Sequence, residues 1–268
     1  IGEVRETHVW VNVDYSGRHL ITGTPAPSHV DWDLWLGPTA TRPYCESADR
    51  NGGVIPLHPR NWRYIWDYGT GGLGDFGCHY MDLVHWALKL KYPNKVSATG
   101  PTPRQIGCTA GLVVNYEYPA RGSLPPVTLT WHDGGKQPAV LSTLKNSDGS
   151  PLSWPNGQLF IGSEGMVISN YHRHMLLPVD RFSDFQRPEP FIPKSIGHHQ
   201  EWVHAVKSGS PATCDFGYSG PLTEAVLLGV VSYRSGQTIE WDATNLKVKN
   251  SPHAQQYIHK EYRQGWTL

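Results

Sequence analysis

The sequence carries no net charge, since 23 Lys and Arg stand against 23 Asp and Glu, and no run of one sign stands out. Nucleic acids and anionic membrane surfaces are recognised through basic patches, so neither is an expected partner. Long apolar runs are missing as well. The longest, Ala225 to Val231, is far below the roughly 18 residues a membrane span needs, which predicts a soluble chain. Cysteine is scarce. Cys45, Cys78, Cys108 and Cys214 lie far apart with no Cys-x-x-Cys, which argues against a zinc ribbon or a thioredoxin-type motif and requires no disulfide. Gly-x-Ser-x-Gly is absent and no cysteine has an activating context, so a serine or cysteine nucleophile has little support. The opening residues, Ile1-Gly2-Glu3-Val4-Arg5, read as neither a signal peptide nor a twin-arginine leader, and the compartment stays open.

What is abundant is 11 Trp, 13 Tyr, 14 His, 28 Gly and 22 Pro among 268 residues. Such a composition predicts many loops and many flat rings with polar edges, which suit sugar faces although most of them serve packing. With 38% hydrophobic and 17% charged residues the chain can bury a core and is not disordered.

Residues 4–13 alternate with period 2 and predict a strand. A Pro- and Trp-rich excursion over about 16–61 follows, too broken for long elements, and reads as an ordered loop region with short turns. Gly69-Thr70-Gly71-Gly72-Leu73-Gly74 then opens a helix over about 72–88. Residues 95–100, 111–118, 127–132 and 158–161 read as strands of an antiparallel meander, and 198–208 and 221–235 as helices. The fold class expected is α+β, an open, mostly antiparallel sheet with helices on one face. No alternating βαβ unit and no internal repeat is seen.

In a helix beginning near Gly74, side chains 79 and 82 fall within about 40° of the one at 75, so Asp75, His79 and Asp82 share a face. A carboxylate beside an imidazole suits a general base for a hydroxyl proton. The same pair serves equally as a packed histidine and a helix cap. A divalent metal is a weaker alternative, with His85, His132, His172, His174, His198 or His199 supplied from elsewhere, because no zinc-type spacing occurs. The glycine run lacks a Gly-Lys-Ser/Thr ending and follows no strand, so a phosphate-loop reading is weak.

Asp31-Trp32-Asp33-Leu34-Trp35-Leu36-Gly37-Pro38, Asn61-Trp62-Arg63 and the stretch Gly69 to Asp82 resemble the C-terminal half of the Gfo/Idh/MocA oxidoreductases, relatives of glucose-fructose oxidoreductase and inositol dehydrogenase. The resemblance continues through Thr130-Trp131-His132-Asp133-Gly134-Gly135, Gly162-Ser163-Glu164-Gly165, Leu222-Thr223-Glu224 and Arg263-Gln264-Gly265-Trp266, and points to a Trp-rich bacterial subgroup. It implies a C-terminal substrate-binding and oligomerisation domain filling residues 1–268. It also implies an Asp-x-x-x-His that assists proton removal from a sugar hydroxyl, matched by Asp75 and His79. The substrate is then a sugar or polyol, with Arg63, Tyr64, His132 and His199 as hydroxyl-contacting candidates, and the chain self-associates through the apolar face that an open sheet leaves uncovered. The family's Rossmann half, with its glycine fingerprint and Glu-Lys-Pro lysine, is not in this chain, so NAD(P) is expected only where that half is present and no cofactor or metal site is assigned here. The chain therefore reads as part of a longer oxidoreductase. The alternatives are a natural Rossmann-less relative acting as a keto-sugar lyase or hydratase, or a non-catalytic sugar-binding or assembly module.

Overall fold

The structure, a computed structural model, describes residues 1–22, 24–48 and 51–267. In chain order its elements are β1 (Val4–Trp10), β2 (His19–Thr22), α1 (Trp32–Leu36), β3 (Cys45–Ala48), β4 (Val54–Pro56), α2 (Gly71–Tyr80), α3 (Asp82–Leu88), β5 (Lys95–Thr99) and β6 (Val113–Tyr118). They continue with β7 (Val127–His132), β8 (Gly157–Gly162), β9 (Met166–Ser169), β10 (His174–Leu177), α4 (His198–Ser208), α5 (Phe216–Ser235), β11 (Ile239–Asp242), β12 (Lys247–Val248) and α6 (Pro252–Gln255). Nine strands form one sheet in the order β10-β9-β8-β1-β7-β6-β5-β11-β12. Its pairings are antiparallel except for β1 with β7, where Val9 pairs with Trp131. The fold is the expected α+β class.

Period-2 alternation sends Val9, Val114, Tyr116, Leu129 and Trp131 to the helix-covered face, where they meet Leu73, Val84, Val226 and Leu228 in the main core. α5 is apolar on most of its surface because it lies between the sheet and α2. Asp215 caps its N-terminus by accepting from the Tyr218 amide, and Gly236 ends it in the left-handed region at φ 65°. That cap starts the helix at Phe216 rather than at Pro221, which falls in its second turn. The helix expected over 72–88 is two segments meeting at Met81, next to the point where the Tyr218 hydroxyl donates to both the carbonyl and the carboxylate of Asp82. The 16–61 excursion carries more order than its prolines suggest, with β2, β3 and β4 forming a small antiparallel sheet.

The face away from the helices is not the apolar surface anticipated. Toward β10 it is covered by a second cluster in which Trp10, Leu159, Ile168 and Leu177 meet Leu141 and Trp154, with the Trp10 indole donating to the Trp154 carbonyl at 2.8 Å. Toward β5 the outward alternation brings up Glu6, His8, Thr128, Thr130, His132, Asn115 and Glu117. Among the described residues no helix is long and apolar enough to cross a membrane.

α2 reaches α5 through a missing side chain. A Cβ at Gly77 would stand 2.7 Å from Val226 Cγ2, and one at Gly229 would meet the Tyr116 hydroxyl and stand 2.7 Å from Leu73 Cδ2. Alanine at Gly77 gains about 1 kcal/mol of helix propensity, but its methyl has no room in this contact. We expect Gly77→Ala to destabilise the fold by about 1–3 kcal/mol, read as a lowered urea midpoint at unchanged slope.

Candidate active site

The extended chain after β1 brings Val11 and Val13 onto the helix-side core, and Gly134 donates its amide to the Val13 carbonyl at 3.0 Å. Tyr15, next in the alternation, is buried under α2. Its ring meets Tyr64 at 4.7 Å and Phe76 at 6.1 Å, and its hydroxyl donates to Asp75 Oδ2 at 2.7 Å. Arg63 Nε donates to Asp75 Oδ1 at 3.3 Å, both side chains being 31% exposed. The Arg63 guanidinium lies 4.7 Å from the Trp62 ring centre, on a short 3₁₀ turn, Asn61–Tyr64. Burial, and then the bond to Asp75, push the Tyr15 phenol up to about 12, so it stays a donor throughout the neutral range.

His79 follows Asp75 by one helical turn and is exposed, its ring 6.0 Å from Phe76 and its carbonyl accepting from the Tyr171 hydroxyl at 2.9 Å. Among the described residues the Asp75 carboxylate is bonded to Tyr15 and Arg63 and not to the His79 ring. Asp82, on the same face, is held by Tyr218 at 2.6 Å. The structure thus gathers Asp75, His79, Arg63 and Tyr64 on one rim, and adds Tyr15, which the sequence reading did not single out. The available signal was its place at the next inward position of the strand after Val9, Val11 and Val13.

His132 and His199 stand elsewhere. His132 alternates with the inward-facing Trp131, so it faces the opposite side of the sheet, where His8 Nδ1 lies 3.3 Å from its Nε2 and Glu6 Oε1 lies 2.8 Å from His8 Nε2. His199 is exposed on α4 with its ring 4.1 Å from that of His198. His85 is buried against the Tyr118 hydroxyl at 2.9 Å. Among the described residues, no group of three or more His, Cys, Asp or Glu side chains is placed to hold a metal ion.

Gly69, Gly71 and Gly74 have the spacing of Gly-x-Gly-x-x-Gly, but their open sides are already filled. A Cβ at Gly71 would sit 3.1 Å from Cys108 Cβ, one at Gly72 3.0 Å from Val13 Cγ1, and one at Gly74 against the Thr70 hydroxyl. These glycines admit neighbouring protein rather than a pyrophosphate, so the run does not fit a dinucleotide cradle. Two other motifs serve packing. Arg263 donates to Asp33 Oδ1 at 2.5 Å and to the Asp33 and Gly37 carbonyls at 2.7 Å each, locking the tail onto the Trp32–Trp35 stack, whose rings are 4.7 Å apart. Asp133 is buried and accepts from the Gly111 and Leu112 amides and the Trp131 indole.

The open, antiparallel-rich sheet with helices against it is the architecture of an oxidoreductase-family C-terminal alpha/beta domain. Residues 5–268 match the model of the oxidoreductase family C-terminal alpha/beta domain, of Gfo/Idh/MocA type. The chain belongs to this family. No curated protein matches it. Among solved structures it is similar to a protein of Bordetella bronchiseptica RB50 assigned as a dehydrogenase, at 14% identity and TM-score 0.43, over 90% of this chain and 63% of that one. GenD2 from gentamicin A biosynthesis, solved with NAD, gives 13% identity and TM-score 0.40 over 91% and 57%. An oxidoreductase from Agrobacterium radiobacter, solved with NAD+, L-tartaric acid and magnesium, gives 11% and 0.37 over 90% and 57%. The chain spans only 57–63% of these three proteins.

Burial pushes both His85 and His132 down to about 4, and for His132 the neighbouring His8 and Lys136 add to the effect. Unfolded, each titrates near 6.5, so the unfolded chain binds more protons between these values. The stability they contribute is complete above about pH 6.5 and is lost as pH falls through about 4. Urea midpoints measured from pH 7 to pH 4 should therefore fall, and His85→Gln, which removes one of the two titrations, should make that fall shallower.

Proposed function

We propose that this chain is the substrate-binding part of a carbohydrate oxidoreductase acting on a sugar or polyol, with Asp75 and His79 at the reacting hydroxyl. The observation that carries the reading is the pinning of Asp75 by Tyr15 and Arg63, one turn from an exposed imidazole. A carboxylate fixed by two donors keeps oxygen lone pairs free to receive a substrate hydroxyl. His79, open to solvent beside Phe76, accepts the proton of the hydroxyl being oxidised. Arg63 and Tyr64 donate to neighbouring hydroxyls, and the partly exposed Tyr64 and Phe76 rings, backed by the buried Tyr15, offer an apolar wall to a sugar face. In this reading the oxidant is a nicotinamide bound outside this chain, by the Rossmann half that the family resemblance implies. The residues here bind, orient and move a proton.

The test uses the full-length protein. His79→Ala and Asp75→Asn should each lower sugar-dependent NAD(P) reduction by on the order of 10² to 10⁴ while circular dichroism stays unchanged. Wild-type turnover in both folded variants would remove the assignment.

Self-association through the open sheet face belongs to the same proposal. Its β1, β6 and β7 rows are rich in hydrogen-bonding groups, so the contact would be a polar one. Light scattering at micromolar concentration should give a mass at least twice that of one chain, and Thr130→Arg on that face should reduce it to one chain. A monomeric wild type would refute the interface.

A further inference from the structure

We infer that Tyr171 is a positioning residue for His79, an inference that rests on the reading of His79 as the proton acceptor of the Asp75 site. His79 lies in the last turn of α2, which ends at Tyr80, and α3 begins only at Asp82. The final carbonyls of an α-helix have no donor within the helix and must find one elsewhere. The Met81 amide donates to the Gly77 carbonyl at 2.8 Å. The last two carbonyls are taken by side chains that come from the sheet. The Tyr171 hydroxyl donates to that of His79 at 2.9 Å, and Gln158 Nε2 to that of Tyr80 at 3.0 Å. Gln158 stands on β8 and Tyr171 in the turn between β9 and β10, so one end of the sheet grips the end of the helix that carries the imidazole.

Gln158 is buried in the core, whereas Tyr171 is 64% exposed, so packing alone does not hold its ring in place. The turn does. Asn170 donates its amide to the Arg173 carbonyl at 2.9 Å, and its Oδ1 accepts from the His172 and Arg173 amides at 2.9 and 3.0 Å. The Arg173 guanidinium lies 3.9 Å from the ring centre of the buried Trp154 and donates to the Ser153 carbonyl at 2.7 Å. From this anchored turn the Tyr171 ring meets Tyr80 edge-on at 5.3 Å. Desolvation, and then the neighbouring Tyr80 and Asp82, raise the Tyr171 phenol above its ordinary value, so it stays a donor through the neutral range. Without that donor the last turn of α2 has a free carbonyl at His79, and helix ends left so are prone to fray. Proton transfer needs donor and acceptor within about 3 Å, and a misplacement of about 1 Å can cost as much as 10² in rate. Asp75, one turn earlier, is held by Tyr15 and Arg63 and does not depend on Tyr171. Removing the hydroxyl therefore acts on proton transfer and spares substrate binding.

The experiment compares wild type, Tyr171→Phe, His79→Ala and the double variant in the full-length protein, following NAD(P) reduction with D-glucose and with myo-inositol. Tyr171→Phe keeps the ring and removes only the hydroxyl. It should lower kcat on the order of tenfold and leave KM within about twofold, with circular dichroism unchanged. In the His79→Ala background the same substitution should change nothing further, because the group it positions is gone. Wild-type kcat in Tyr171→Phe, a loss that appears in KM instead, or an equal loss with and without His79 overturns the role of Tyr171 and leaves the site standing. A Tyr171→Phe protein that has lost its circular dichroism signal assigns the hydroxyl to folding and overturns the inference as well. Oxidation of neither substrate by wild type, or wild-type turnover in His79→Ala, overturns the reading of the site and this inference together.

Discussion

The close approach of α2, α5 and the sheet, made possible where Gly77 and Gly229 present no side chain, is the constraint on which the rest of the architecture depends. With Val226 seated on Gly77 and the Tyr116 ring reaching Gly229, the long helix lies flat on the strands and α2 lies against it. α2 is entered through glycines that are themselves filled by Val13 and Cys108, so its start has little freedom to slide. A helix fixed at both its entry and its middle carries Asp75 to one place relative to the extended segment after β1 that brings Tyr15.

The polar chemistry then works outward from that rigid seam. Tyr15 arrives from the sheet, Arg63 from a one-turn 3₁₀ segment and Asp75 from a helix, so three separately anchored pieces of backbone meet at a single carboxylate. Fixing a group from several directions keeps reorganisation small when a substrate arrives, which is where preorganised sites gain their advantage. His79 is different. It sits at the exposed end of the same helix, where in the proposed function it follows a bound hydroxyl.

Much of this was legible in the residues. The period-2 rows gave the strands of the sheet's centre, and helical spacing put Asp75 and His79 on one face. What could not be read was which face of the sheet a given side chain would take, and His132 shows why. It lies beside Asp133 in a glycine-bounded motif, but a strand turns consecutive residues to opposite sides, and only the register against β1 and β6 decides which side is covered. Tyr15 was missed for a related reason. Its place beside Asp75 comes from contacts with Tyr64 and Asp75, about fifty and sixty positions away, which no local pattern encodes. The Trp-rich segments turned out to be fasteners, since Trp32, Trp35 and Arg263 join the excursion to the tail.

The single parallel pairing in the sheet has a consequence for how the chain is made. β1, which precedes the other eight strands of this sheet in the chain, lies between β7 and β8, so Thr7 finds Leu129 on one side and Phe160 on the other. More than 120 residues must follow it before either neighbour exists. Until then the strand has two unpaired rows of backbone groups, and β7 and β8 cannot close on each other without leaving β1 out. Closing long loops late is slow, and unpaired strand edges invite wrong partners. The middle of the sheet therefore waits for β8, and the interval before then leaves β1 exposed to misassembly.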